Sequence, residues 1–84
     1  MTAENEAAAI EVEAQRLGVT VLQRIRTNAG EWIVQCHRSE KSWHPFIVWR
    51  AFVLDGKASF HWGMYGKTLA ESDGDFSDRI EAYI

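Results

Sequence analysis

The sequence predicts an α+β fold: a four-stranded antiparallel sheet arranged as a meander, with an N-terminal and a C-terminal helix on one face. Three observations predict it. Residues 3–17 mix alanine and glutamate with an apolar position every three or four residues. From Val19 the apolar period changes to two, in a stretch rich in β-branched and aromatic residues and cut by glycine-containing turns. After Gly66 the chain reads Thr68-Leu69-Ala70-Glu71, the pattern of a helix start.

The first helix covers 3–17, because alanine, glutamate and glutamine are good helix formers and Gly18 stands where a left-handed C-terminal cap belongs. Its apolar stripe is Ala3, Ala7, Ile10, Ala14 and Leu17, narrow enough that the helix depends on docking. Strands follow at 19–26, 31–38, 45–54 and 57–65, joined by Asn28-Ala29-Gly30, the polar loop 39–44 and Asp55-Gly56. A four-residue loop at 27–30 pairs Arg26 with Glu31 and sets Val19, Val21 and Ile25 beside Trp32, Val34 and Cys36.

Asp55-Gly56 reads as a two-residue type I′ turn that pairs Leu54 with Lys57 and sets Arg50 opposite His61. Ile47, Trp49, Ala51 and Val53 then share an uncharged face with Ala58, Phe60, Trp62 and Met64, making Trp49 and Trp62 buried neighbours. A bulged three-residue turn would exchange the faces of strand 45–54. The last element is either one helix over 68–84 or a turn and a helix from about 73, its stripe formed by Leu69, Phe76, Ile80 and Tyr83.

The chain has 84 residues, 46% of them apolar, and one proline, so a single domain over 1–84 is expected. One cysteine, Cys36, rules out an internal disulfide; with no signal-like apolar run, this points to the cytoplasm. The net charge of −3 disfavours a general nucleic-acid binder. That charge is segregated: residues 1–15 and 71–84 each sum to −4, whereas 16–70 hold eight bases and three acids.

The candidate constellations are mostly structural. Cys36 and His37 point to opposite faces, and His37 lies two strands from His61, so these residues and His44 do not make a zinc site. The acids around Gly74 miss the calcium-loop spacing, since the positions that need glycine and glutamate hold Asp78 and Ile84. No nucleophile elbow or phosphate loop occurs. The expectation is a non-enzymatic protein with no catalytic residue, metal or cofactor.

What remains is surface. With both helices on one face, the other sheet face is left open, with Leu22, Ile33, Phe46, Val48, Phe52 and Tyr65 among Arg24, Arg26, Arg50, His37 and His61. Apolar residues ringed by charge suit a protein partner. The candidate contact residues on this face are Arg24, Arg26, Phe46, Arg50, Phe52, His61 and Tyr65. A second candidate surface is the acidic helix, through Glu71, Asp73, Asp75 and Asp78. Trp43-His44-Pro45 places a further tryptophan on a loop tip.

A short acidic chain with one cysteine, four tryptophans and a sheet flanked by helices resembles small orphan proteins of phages and mobile elements, anti-CRISPR inhibitors of host defence among them. The resemblance covers size and layout over the whole chain and carries no functional residue across. It implies an inhibitor or adaptor that occludes a partner's surface, sometimes with carboxylates in place of nucleic-acid phosphates. The double-stranded-RNA-binding domain shares the order of elements, but its second helix opens on a basic cluster where this one is acidic. The alternative function is single-strand nucleic-acid binding by the aromatics and arginines of the open face. A symmetric homodimer through that face is compatible with the protein-binding reading.

Overall fold

A computed structural model describes residues 3–39 and 41–82. The elements run α1 (Ala3–Leu17), β1 (Thr20–Arg26), β2 (Trp32–His37), β3 (Phe46–Leu54), β4 (Lys57–Gly66) and α2 (Leu69–Glu81). The sheet is antiparallel in the order β1-β2-β3-β4, the meander that short connections dictate. Among the described residues no helix is long and apolar enough to cross a membrane.

Local chemistry sets the helix ends. At α1 the Gly18 N–H donates to Gln15 O at 3.1 Å and the Val19 N–H to Ala14 O at 3.0 Å, a pair that needs the φ of +74° glycine provides. At α2 the Thr68 hydroxyl accepts from the Glu71 N–H at 3.2 Å, and one continuous helix follows. Tyr83, assigned above to its stripe, lies outside the described residues, as does Glu40 in the 39–44 loop.

The helices lie on opposite faces of the sheet, which corrects the expectation that they share one. Ile10 and Ala14 of α1 pack with Val19, Trp32, Val34, Cys36 and Ala51, whereas Phe76 of α2 packs with Ile33 and Val48, joined by Met64 and Ile80. The reason is in β2, where Trp32, Ile33, Val34, Gln35 and Cys36 are all buried, so both faces of the strand need cover. The open face read from the sequence is therefore largely the seat of α2.

Gln35, fully buried at 0% exposure, joins that seat to the helix. Its Nε2 donates to Ser72 Oγ at 3.0 Å and to Asp73 Oδ1 at 2.9 Å, while its Oε1 accepts from Gln23 Nε2 at 2.6 Å. A buried amide in apolar surroundings is costly unless bonded, so the two contacts to Ser72 and Asp73 fix where α2 sits while the third, from Gln23, ties the amide to β1.

On the other face, α1 reaches the sheet edge through its acids. Glu6 Oε1 accepts from Trp32 Nε1 at 2.9 Å and Arg26 Nε at 3.1 Å, and Glu11 pairs with Arg24 at 3.6 Å. The Trp32 hydrogen bond, then the Arg26 guanidinium, hold the Glu6 carboxyl below its ordinary value of 4.5. A lowered folded-state pKa means that this stability is fully present above 4.5 and is lost as pH falls through the folded value. The urea midpoint is thus expected to drop as pH is lowered below 4.5, and Glu6→Gln to flatten that drop. An unchanged profile in the variant would remove Glu6 from the account.

Candidate interaction surface

Two irregularities decide which side chains meet. In the first hairpin Arg26 pairs with Trp32 rather than Glu31, because the Thr27 N–H bonds Glu31 O at 2.7 Å and closes a longer loop. Parity shifts by one, and Ile25 falls opposite Ile33 on the α2 face while Arg24 and Arg26 move to the α1 face. A bulge between Val21 and Gln23 then returns Val21 to its expected place beside Cys36.

In the third hairpin, β3–β4, the expected turn forms, with Asp55 at φ 53° and Gly56 at φ 77°, and Leu54 pairs with Lys57 and Arg50 with His61. Register then slips: Val48 faces Met64, so Trp49 alone spans Trp62 and Gly63. Gly63 permits this, since a Cβ there would come within 2.8 Å of Trp49 Nε1. Trp62 takes a left-handed backbone, φ 52°, which costs a residue with a Cβ about 1–2 kcal/mol. Its ring leaves the α1 side and lies 62% exposed, so the expected burial of Trp62 against Trp49 is corrected.

The bulge places His61 and Trp62 on one side, their ring centroids 5.6 Å apart. Phe52 meets both edge-on, at 5.7 and 5.9 Å. The Arg50 guanidinium lies 4.6 Å from the Trp62 centroid and 5.5 Å from that of Phe52; such contacts contribute about 0.5–2 kcal/mol each. Behind it the buried carboxylate of Glu31 accepts from Arg50 Nη2 at 2.6 Å. Arg79 of α2 donates to Trp62 O at 2.6 Å, tying down the strained peptide. A shallow groove of about 430 Å³ runs between Trp62, Met64 and Arg50 on the sheet and Asp78 and Arg79 of α2 with Ala82, its C-terminal cap.

Of the residues expected on the open face, the structure brings together Arg50, Phe52 and His61. Arg24 and Arg26 are engaged by α1 on the opposite face. Tyr65 pairs with Ile47, also on the α1 side, beneath the Arg38 guanidinium at 5.6 Å. Phe46 keeps the α2 side but sits at the other end of β3, 5.0 Å from His37. Among the acids, Asp78 lines the groove, Asp73 is bonded to Gln35, Asp75 is half-buried and Glu71 is exposed in the first turn.

Sequence reasoning missed Trp62, Glu31 and Arg79. The available signal was Trp62-Gly63 itself, because a glycine inside an aromatic strand marks a bulge or a close approach. Cys36 is fully buried, and burial, then Glu11, pushes its thiol up to about 12, so it stays neutral. No protein-family model, curated protein or solved structure matches this chain.

Proposed function

We propose that the chain is a non-enzymatic protein-binding module, an inhibitor or adaptor that occludes its partner's surface through Trp62, Phe52, Arg50 and His61. The observation that carries this reading is Trp62, a large ring 62% exposed on a left-handed backbone. Strain of this kind persists only where its surroundings enforce it. Here Arg50 and Arg79 do so from two different elements. A rigid tryptophan beside an arginine, next to an apolar groove, is the composition of an interface hot spot. Occlusion of a partner is also what the likeness to anti-CRISPR inhibitors implies, and a buried lone thiol suits a reducing cytoplasm.

The test is affinity capture of a partner from the source cell by wild-type protein, followed by titration with the purified partner. Trp62→Ala is expected to weaken binding by roughly 30-fold or more, the effect of losing about 2 kcal/mol at a hot spot, in a variant that remains folded at the assay temperature by its far-UV spectrum. Val12→Ala, on the exposed side of α1, serves as the control and should bind as wild type does. Equal affinity of the Trp62 variant would overturn the assignment of this surface, and salt-sensitive binding of an oligothymidine in place of a protein would favour the nucleic-acid alternative.

A further inference from the structure

We propose that the outer edge of β1 is a second binding site, which takes an extended segment of a protein partner as a fifth strand with acidic and apolar residues in alternation. β1 pairs with β2 alone, so its other side is a sheet edge. Which backbone groups face outward follows from the ladder. The Thr27 N–H bonds Glu31 O at 2.7 Å, and at the same register Ile25 faces Ile33 and Gln23 faces Gln35. In an antiparallel pair the residues between point their N–H and C=O the other way, so those of Arg24 and Arg26 face outward. No hydrogen bond from a described residue reaches these groups. The opposite edge of the sheet is interrupted at Trp62, whose carbonyl Arg79 already holds.

The side chains along β1 set what an added strand must carry. Arg24 and Arg26 stand on the α1 face, about 7 Å apart as alternate residues of a strand, and Ile25 between them stands on the α2 face. α2 packs on β2, β3 and β4 and leaves Ile25 42% exposed beside the buried Ile33. Arg26 gives Glu6 one hydrogen bond, from Nε at 3.1 Å, and Arg24 comes no closer to Glu11 than 3.6 Å. Each guanidinium therefore keeps N–H groups with no hydrogen-bond partner among the described residues, and the two side chains are 39% and 46% exposed. Both lie toward the 27–31 turn, away from the 39–44 loop, which joins β2 to β3 at the other end of the sheet.

Chemistry selects the occupant. An edge that alternates donors and acceptors matches another polypeptide strand, whereas a nucleic-acid backbone brings acceptors at every phosphate. A second copy is the wrong strand. Antiparallel pairing of β1 with itself centred on Ile25 sets Arg24 of each copy against Arg26 of the other, and pairing centred on Arg24 sets that residue against itself, so like charges meet directly. Pairing moved toward Thr20 runs into the bulge between Val21 and Gln23. A partner strand with carboxylates opposite Arg24 and Arg26 and a β-branched residue opposite Ile25 satisfies all three positions. The site shares no residue with the Trp62 surface and does not depend on it.

The experiment is a titration of the isotope-labelled full chain with an acetylated and amidated octapeptide of alternating glutamate and valine, at low salt, followed through the backbone amide resonances. Saturable shifts centred on residues 23–27 and slowed hydrogen exchange at the Arg24 and Arg26 amides are expected, in wild type and in Trp62→Ala alike. With glutamates opposite the two arginines, the glutamate amides face β1 and the valine amides face away. N-methylation of the glutamate nitrogens is thus expected to abolish the shifts, N-methylation of the valine nitrogens to spare them, and lysine in place of glutamate to weaken binding severalfold. No shift at millimolar peptide, shifts centred elsewhere, or equal binding of the glutamate-methylated or lysine peptide would each overturn the proposal. Concentration-dependent shifts at Arg24 and Arg26 in the protein alone would overturn it in favour of a second copy.

Discussion

Ile33→Ala is expected to lower the stability of this protein by about 2–5 kcal/mol, the range for emptying a buried isoleucine site. Ile33 is 0% exposed and packs with Val48 and Phe76 under α2. Had both helices covered the α1 face, the same side chain would sit on an open surface and its truncation would cost little. The size of the effect therefore reports which face α2 covers. An 84-residue chain has roughly 4–13 kcal/mol in hand, so the variant is expected to lose a large share of it. A urea midpoint measured beside Leu54→Ala, whose side chain is 76% exposed, makes the comparison internal. Equal midpoints for the two variants would contradict the packing of α2 on Ile33.

Gln35→Leu is expected to cost about 2–4 kcal/mol although it keeps the volume and adds apolar surface, because it breaks three hydrogen bonds and strands the buried Ser72 hydroxyl. Ser72 is as fully enclosed as Gln35 and has no water to turn to. Removing the partners together is expected to recover part of the loss: Gln35→Leu/Ser72→Ala should be more stable than the sum of its single variants predicts. Strict additivity in that cycle would mean that the amide and the hydroxyl do not act on each other.

The parts of the fold that were legible in the sequence are those governed by neighbours along the chain. Gly18 closes α1, Thr68 opens α2, and Asp55-Gly56 makes the turn that sets Arg50 opposite His61, each through contacts a few residues away. What failed was parity carried over distance. One extra residue in the 27–31 loop moved Arg24 and Arg26 to the α1 face, and one bulge at Trp62-Gly63 turned an expected core tryptophan outward and sent Tyr65 to the far side. The choice of faces failed for a different reason. A side that carries arginines and histidines at its rim was read as solvent-facing, while the unbroken burial from Trp32 to Cys36 requires apolar cover on both sides of the central strands. Three residues of the candidate surface were foreseen because Arg50, Phe52 and His61 lie on the turn-proximal side of the bulge, where the period of two still holds.

The bulge also bears on how this protein stays apart from its own copies. β4 is an edge strand, and a long, regular edge offers unpaired backbone groups on which another chain can extend the sheet, the first step of aggregation. From Lys57 to His61 the strand is regular, but at Trp62 the backbone turns left-handed, the spacing of its groups breaks, and Arg79 already holds the carbonyl. A strand adding along β4 would lose its hydrogen-bond register halfway, so the feature that raises the tryptophan from the sheet also guards the sheet's margin against polymerisation.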